Sequence, residues 1–188
     1  DLFASMLLLV ITIPIFLVIG ILIFIEDQGP LFYSQKRTGL NGEIFKITKF
    51  RSMKVDAEKE GIQWSQKFDP RVTKIGRIIR ATRLDELPQL FCVIAGSMSL
   101  IGPRPERPEI EDKLLGNIPF YNYRNIIKPG LSGWAQVNYP YGASKSDAAI
   151  KLSYDLYYLI HFSLLLDFLI LFKTIKLVFN AKGSNPTK

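Results

Sequence analysis

Asp85 and Glu86 stand side by side, with Arg80 and Arg83 just before them and the turn Gly102-Pro103-Arg104-Pro105 a short way after. Carboxylates can act as nucleophiles or as ligands to a hard metal ion, and arginines held beside them suit phosphate groups. Pro88 fixes where this chemistry sits. Proline is accepted in the first turn of a helix and not deeper, so a helix starts close to Asp85 and ends by Gly96. The acidic pair then lies at a helix N-terminus, where free N–H groups and the dipole favour anions. Thr82-x-x-Asp85 also fits a capping box, and on spacing alone such a pair is more often a cap than a catalyst. The rigid Pro-Arg-Pro turn argues for more, because it offers Arg104 in a fixed place suited to bidentate phosphate binding.

Composition narrows the choice. The 188 residues carry 24 Lys and Arg against 17 Asp and Glu, a net charge of +7 that suits phosphate, lipid headgroups or nucleic acid. One cysteine, Cys92, and one histidine, His161, exclude an intrachain disulfide and chemistry that needs several histidines, and argue against a Cys/His zinc site. Any metal is a hard ion held by carboxylates. Nucleic acid is disfavoured, since the aromatics fall in apolar stretches instead of interleaving with the basic residues. A helix over Val72 to Arg80, opened by Asp69-Pro70, places Lys74, Arg77 and Arg80 every three residues beside Ile75, Ile78 and Ile79. Lys74 and Arg77 read as a solvated face, and Arg80 as part of the site. Lys128-Pro129-Gly130-Leu131-Ser132-Gly133-Trp134 is glycine-rich and basic, with an aromatic suited to a base or headgroup, although it lacks P-loop spacing.

The elements that must position these groups lie between two apolar runs, Leu2 to Ile25 and Leu156 to Phe179. The first has only Ser5 and Thr12 as polar side chains. As a straight helix it would be ~36 Å long, enough to cross a ~30 Å hydrocarbon core. Pro14 near its middle removes the hydrogen bond to the Val10 carbonyl and kinks it, with the Thr12 hydroxyl as a partial substitute. A kinked span and a run that enters and leaves by the same side both remain open on these grounds. Leu31 to Phe50 reads as two strands around Gly39-Leu40-Asn41-Gly42, with Phe45 and Ile47 alternating against Lys46 and Thr48. Asp56 to Gly61 is charged and reads as a surface turn of helix. Ser144-x-x-Asp147 reads as a capping box for a helix through Tyr158. Leu159 to Phe179, interrupted by Asp167, Lys173 and Lys176, suits helices lying along a membrane surface. His161 reads as a bystander there, and Asn180 to Lys188 as a polar tail. Helices dominate, and no βαβ repeat suggests a parallel sheet.

Several of these segments, in this order, resemble the bacterial sugar transferases, the monotopic polyprenyl-phosphate phosphoglycosyl transferases, and among them the exopolysaccharide type. The segments are the apolar entry with Pro14, Lys49-Phe50-Arg51-Ser52-Met53, Arg80 to Leu90, Met98 to Pro105, Lys128 to Asn138 and Tyr154-Asp155-Leu156-Tyr157-Tyr158. The resemblance implies a mostly α fold with a small β-hairpin. A re-entrant membrane helix over 1–28, broken at Pro14, would precede a compact catalytic domain over 29–158 on the cytosolic face. An interfacial helix and tail over 159–188 would complete one functional unit. The enzyme would sit in the bacterial inner membrane with its site on the cytoplasmic face. It also implies that Asp85 is a nucleophile and that Glu86 helps hold Mg2+. Arg80, Arg104, Lys49, Arg51 and Lys128 would bind substrate.

The reaction implied moves a sugar 1-phosphate from a UDP-sugar to polyprenyl (undecaprenyl) phosphate through an aspartyl phosphosugar, with release of UMP. Partners would be the two substrates and the phospholipid membrane, with no nucleic acid, and a homo-oligomer is compatible with it. Relatives often carry Ser-Pro at the membrane break where this chain has Ile13-Pro14, and Gly-Arg after Asn138 where it has Tyr139-Pro140-Tyr141-Gly142. The second departure leaves the sugar unassigned. Two rivals remain on sequence grounds: a membrane glycosyltransferase that releases UDP, and a non-catalytic scaffold whose basic face holds anionic lipid.

Overall fold

The computed structural model describes residues 1–57, 59, 61, 69–140, 142 and 144–180. The chain opens with α1 (Leu2–Asp27). Ser5, Thr12, Ile19 and Ile23 are buried along it, with Leu9 and Phe16 half-buried between them. From position 5 to 23 the spacing alternates between four and three, so one stripe of the helix faces the protein along its length. Phe3, Val10, Leu17, Ile21 and Ile25 stay exposed. Both ends are tied to the same body. The Asp1 carboxylate accepts from the Leu100 N–H at 3.1 Å. At the other end Asp27 pairs with Arg51 at 3.1 Å. Among the described residues α1 is the one helix long and apolar enough to cross a membrane.

Helical residues run without interruption through Pro14. The Thr12 hydroxyl donates to the Leu8 and Leu9 carbonyls at 2.7 and 3.2 Å. It therefore does not relieve Val10, because a threonine side chain in a helix reaches back three or four residues and not two.

β1 (Phe32–Thr38) and β2 (Ile44–Phe50) form the expected antiparallel hairpin, with Phe32 opposite Phe50 and Thr38 opposite Ile44. Its turn needs left-handed backbone at Asn41 (φ 53°) and Gly42 (φ 83°), which Asn-Gly supplies at little cost. Ile47 enters the main core with Leu90, Val93, Met98, Ile101, Tyr158 and Ile170. Phe50 joins Ile19, Ile23 and Ile79 in a second cluster that seats α1 on the domain.

α2 (Lys74–Ala81) begins later than expected. Thr73 is its cap, accepting from the Gly76 N–H at 2.9 Å, and Glu26 of α1 accepts from the N–H groups of Lys74 and Ile75 at 2.7 and 3.0 Å. Asp69 does not open the helix, since its carboxylate is held by Arg71 at 2.9 and 2.6 Å. A 3-10 helix (Leu84–Gln89) and α3 (Leu90–Ile94) follow, and the chain turns at Gly96 (φ 82°).

β3 (Ser99–Ile101) pairs in parallel with β4 (Gly130–Ser132), with α4 (Pro108–Leu115) between them. This parallel pair was not expected, because three-residue strands carry no readable periodicity. It also explains the glycine-rich segment. A Cβ on Gly130 would lie 2.0 Å from the Gly102 nitrogen, and one on Gly133 would lie 2.1 Å from the Gly102 oxygen. The glycines permit close backbone packing and do not form a phosphate loop.

α5 (Trp134–Asn138) leads to α6 (Lys145–His161) and α7 (Leu164–Phe179). The capping box of Ser144 and Asp147 forms as expected. α6 continues past Tyr158 to His161, because the next helix start is set by Ser163, which accepts from the Leu166 N–H at 3.3 Å. Asp167 accepts from the Tyr158 hydroxyl at 2.7 Å, which offsets the penalty of an acid in an apolar run. α7 buries Leu166 and Ile170 and exposes Leu165, Phe168, Phe172 and Phe179. Its 16 residues span ~24 Å, short of a ~30 Å core. His161 is exposed and stacks on Tyr157 with ring centroids 4.3 Å apart. Residues 181–188 of the expected tail, two residues of the charged 56–61 stretch, and Tyr141 of the Tyr139–Gly142 departure lie outside the described residues. Around 55–57 and 59 the chain forms turns, with Lys59 paired to Asp56 at 3.2 Å.

Candidate active site

Three segments converge on the acidic pair. α2 ends at Ala81, and the Thr82 hydroxyl donates back to the Ile78 carbonyl at 2.9 Å. Arg83 then takes a left-handed conformation (φ 57°) that a side-chain-bearing residue adopts at a cost of ~1 kcal/mol. That sharp reversal delivers Asp85 and Glu86 into the first turn of the 3-10 helix, both buried. The capping box at Thr82 and Asp85 does not form: Thr82 is engaged elsewhere, and Asp85 Oδ1 is buried with no hydrogen-bond partner. With ~3 residues per turn, consecutive side chains point ~120° apart, so the two carboxylates face different groups.

Two cations meet one oxygen of Glu86. Its Oε1 accepts from Lys49 of β2 at 3.1 Å and from Arg104 at 2.5 Å. Burial alone would raise its pKa, but Arg104 and Lys49 outweigh that and hold it well below the usual carboxylate range. Asp85 goes the other way. Burial first, and then the neighbouring Glu86 charge, push it up to about 6 against the pull of Lys49, Arg80 and Arg104. Two adjacent acids thus carry different assignments: Glu86 a fixed anion, Asp85 a more basic carboxylate with a lone pair available. Arg83 Nε and Gln89 Nε2 are buried donors without acceptors, on the same helix and at its start. An incoming anion with several oxygens would complete both.

The turn carrying Arg104 is clamped from two sides. Arg37 of β1 donates to the Pro105 carbonyl at 3.3 Å, and the Thr38 N–H donates to the Glu106 carbonyl at 3.0 Å. From the other side Arg124 donates to the Arg104 carbonyl at 2.7 Å. Arg124 is itself buried, paired with Asp155 of α6 at 2.8 Å and donating to the Tyr121 hydroxyl at 2.8 Å. Burial opposes its charge, but Asp155 and its neighbours raise its pKa above the ordinary value. Neither Arg37 nor Arg124 was identified as a site residue from sequence. Asp155 was a usable signal, since an acid on the same helix face as Leu152 and Tyr158 implies a buried partner.

Of the expected residues, the structure brings together Asp85, Glu86, Lys49, Arg80 and Arg104, the Arg80 charge acting on Asp85. Arg51 lies apart. Its guanidinium serves Asp27 and packs so closely on Gly29 that a Cβ there would come within 2.2 Å of Nη1. Lys128 is exposed, its ammonium beside Gly96 at the far end of α3 from Asp85. Trp134 is committed too, stacked on Tyr157 with Lys173 4.5 Å above its ring.

The donor set suits a hard cation. Among the described residues no three acidic, His or Cys side chains converge. Glu86 is the carboxylate expected to hold magnesium, an ion that relies on substrate phosphates and water for its other ligands.

A buried, partly unpaired carboxylate thus lies among cations, in a domain that also carries an apolar helix long enough to cross a membrane. Residues 1–181 match the family model described as bacterial sugar transferase, and the chain belongs to that family. It is 46% identical, over 98% of its length, to the UDP-N-acetylgalactosamine-undecaprenyl-phosphate N-acetylgalactosaminephosphotransferase of Aeromonas hydrophila, covering 44% of that protein. It is 40% identical over 94% of its length to the undecaprenyl-phosphate glucose phosphotransferase of Komagataeibacter xylinus, covering 34% of it. With the exopolysaccharide production protein PSS of Rhizobium leguminosarum bv. phaseoli it shares 36% identity, over 93% of this chain and 90% of the relative. The chain thus spans less than half the length of the first two relatives.

Proposed function

We propose that this chain transfers a sugar 1-phosphate from a UDP-sugar to polyprenyl (undecaprenyl) phosphate, as the initiating step of exopolysaccharide or glycoconjugate synthesis. The observation that carries this reading is Asp85: buried, its Oδ1 without a partner, its pKa raised to about 6, with Lys49, Arg80 and Arg104 around it. A carboxylate that is ionised at neutral pH yet more basic than usual is suited to nucleophilic attack on phosphorus. Asp85 forms a bond to the sugar-bearing phosphorus, and the bond from that phosphorus to the bridging oxygen breaks. UMP departs with the electron pair. An oxygen of polyprenyl phosphate then attacks the same phosphorus, and the bond to Asp85 breaks to restore the free carboxylate. Arg104, Lys49 and Arg80 neutralise charge that gathers on the phosphoryl oxygens. Glu86 holds Arg104 and Lys49 in position, and would help hold Mg2+ with the substrate phosphates. Bound there, the ion supplies charge neutralisation to the diphosphate.

The same reading places the protein at the bacterial cytoplasmic membrane, with α1 entering and leaving the bilayer on the cytoplasmic side. Support comes from the two ends of α1, both bonded to one domain, and from its continuous buried stripe. A helix that carried the chain across would separate its ends by the bilayer.

The deciding experiment incubates the purified protein with magnesium and UDP-N-acetylgalactosamine, UDP-glucose or other UDP-sugars, without acceptor, and identifies the nucleotide. A stoichiometric burst of UMP is expected from the correct donor, followed by turnover when polyprenyl phosphate is added. UDP as product, or UMP that appears only when both substrates are present, would remove the covalent mechanism.

A further inference from the structure

An apolar groove of about 330 Å3 runs between α1 and α2, walled by Pro14, Val18 and Leu22 on one side, Ile75 and Ile78 on the other, and Leu84 at its inner side. Every side chain that lines it is aliphatic or proline. It follows α1 from Pro14 to Leu22, about 12 Å of helix. Leu84 is bonded directly to Asp85, and Ile79 of the same groove is followed by Arg80, whose charge acts on Asp85. The groove therefore ends on residues whose backbone neighbours in the chain belong to the cationic site.

We infer that this groove seats the first isoprene units of the lipid acceptor, holding its phosphate against the Asp85-bound phosphorus; the inference rests on the reading above. Two features select that occupant. An aliphatic slot beside Arg80 complements an amphiphile with an anionic head and a hydrocarbon tail, with the charge and the apolar surface in the order the molecule presents them. Attack at Asp85 also requires the carbons next to the acceptor phosphate to lie within a few ångströms of Leu84, where the groove is the apolar surface on offer. Its volume is near the low end of small-ligand pockets, ~300–1,000 Å3, so it holds only the head-proximal part of a long chain. Because the chain already lies in hydrocarbon, the groove adds little hydrophobic gain. Its effect is orientation, which confines the phosphate to a productive approach.

Ile78 and Val18 are 59% and 56% exposed, so Ile78→Trp and Val18→Trp can fill the groove without disturbing the core. In reconstituted bilayers, each is expected to lower kcat/KM for polyprenyl phosphate roughly tenfold or more, since ångström-scale misplacement of a reactant has effects of that size. The KM for the UDP-sugar and the acceptor-free UMP burst should match the wild type. Ile78→Ala, which widens the groove, should change acceptor kinetics far less than Ile78→Trp. Unchanged acceptor kinetics in both Trp variants would overturn the inference and leave the groove to ordinary membrane lipid. A parallel fall in the UMP burst and in both substrates' constants would also overturn it, making these walls structural. A wild type that releases no UMP from any donor would sink the catalytic reading itself, which the variants do not test.

Discussion

Two buried pairings of acid with arginine, Asp155 with Arg124 and Glu86 with Arg104, differ in what surrounds them. At Asp155 and Arg124 the two charges meet directly: Arg124 pairs with Asp155 and donates to the Tyr121 hydroxyl and the Arg104 carbonyl, although Arg124 Nε and Asp155 Oδ2 carry no hydrogen bond. At Asp85 and Glu86 the same residue types leave Asp85 Oδ1, Arg83 Nε and Gln89 Nε2 unpaired. The directly paired arginine holds the Arg104 turn in place. Asp85 Oδ1 has no such partner, and the left-handed Arg83 backbone lies beside it. The same substitution at the two aspartates should therefore have different effects.

Asp85→Asn should lower turnover by ~10⁴-fold or more, the scale of removing a nucleophile, with the circular dichroism spectrum intact. Retained activity would return Asp85 to a structural role and erase the contrast. Asp155→Asn should instead strip Arg124 of its counter-ion in the interior and destabilise the fold by ~3–5 kcal/mol in a denaturant titration. A stable Asp155→Asn protein would show that the second pair is not scaffold.

The third prediction sharpens the comparison through pH. A carboxyl whose folded pKa is raised, as at Asp85 to about 6, favours the fold when protonated. That contribution is fully present below the unfolded value near 4 and is lost as pH rises through about 6. Removing the charge should then stabilise. In magnesium-free buffer, Asp85→Asn is expected to melt higher than wild type at pH 7.5, by on the order of 2 kcal/mol at most, with the gap closing towards pH 4. A gap that widens on acidification would reverse the assigned shift.

What could be read in the sequence divides along range. The hairpin, the α6 cap and the helix start near Asp85 are set by residues within a few positions, Asn41-Gly42, Ser144-Asp147 and Pro88, and all three form. That Lys49 and Arg104 share a site with Asp85 and Glu86 was legible because those residues sat in recognisable segments, although their pairing with Glu86 was not. The clamp from Arg37 and Arg124 was not, because each acts on a backbone carbonyl at 68 and 20 residues' distance, which leaves no local pattern. The role of Gly130 and Gly133 was hidden for a similar reason. Glycine permits close approach to anything, and only the fold shows that the neighbour is Gly102 and not a phosphate. Arg51 was expected to bind substrate because the Lys49-Phe50-Arg51 segment resembles the family's, yet the chain leaves the β2 strand after Phe50 and Arg51 pairs with Asp27.

The stripe that runs down α1 decides how this protein could be made water-soluble. Deleting the helix would open the seam where Ile19 and Ile23 close over Phe50 and Ile79, and would leave Arg51 with no counter-charge. The trimmed protein would swap a lipid-facing surface for a sticky wound. An engineer would do better to keep the helix and repaint its outer side, exchanging Phe3, Val10, Leu17, Ile21 and Ile25 for charged residues while the inward stripe stays as it is.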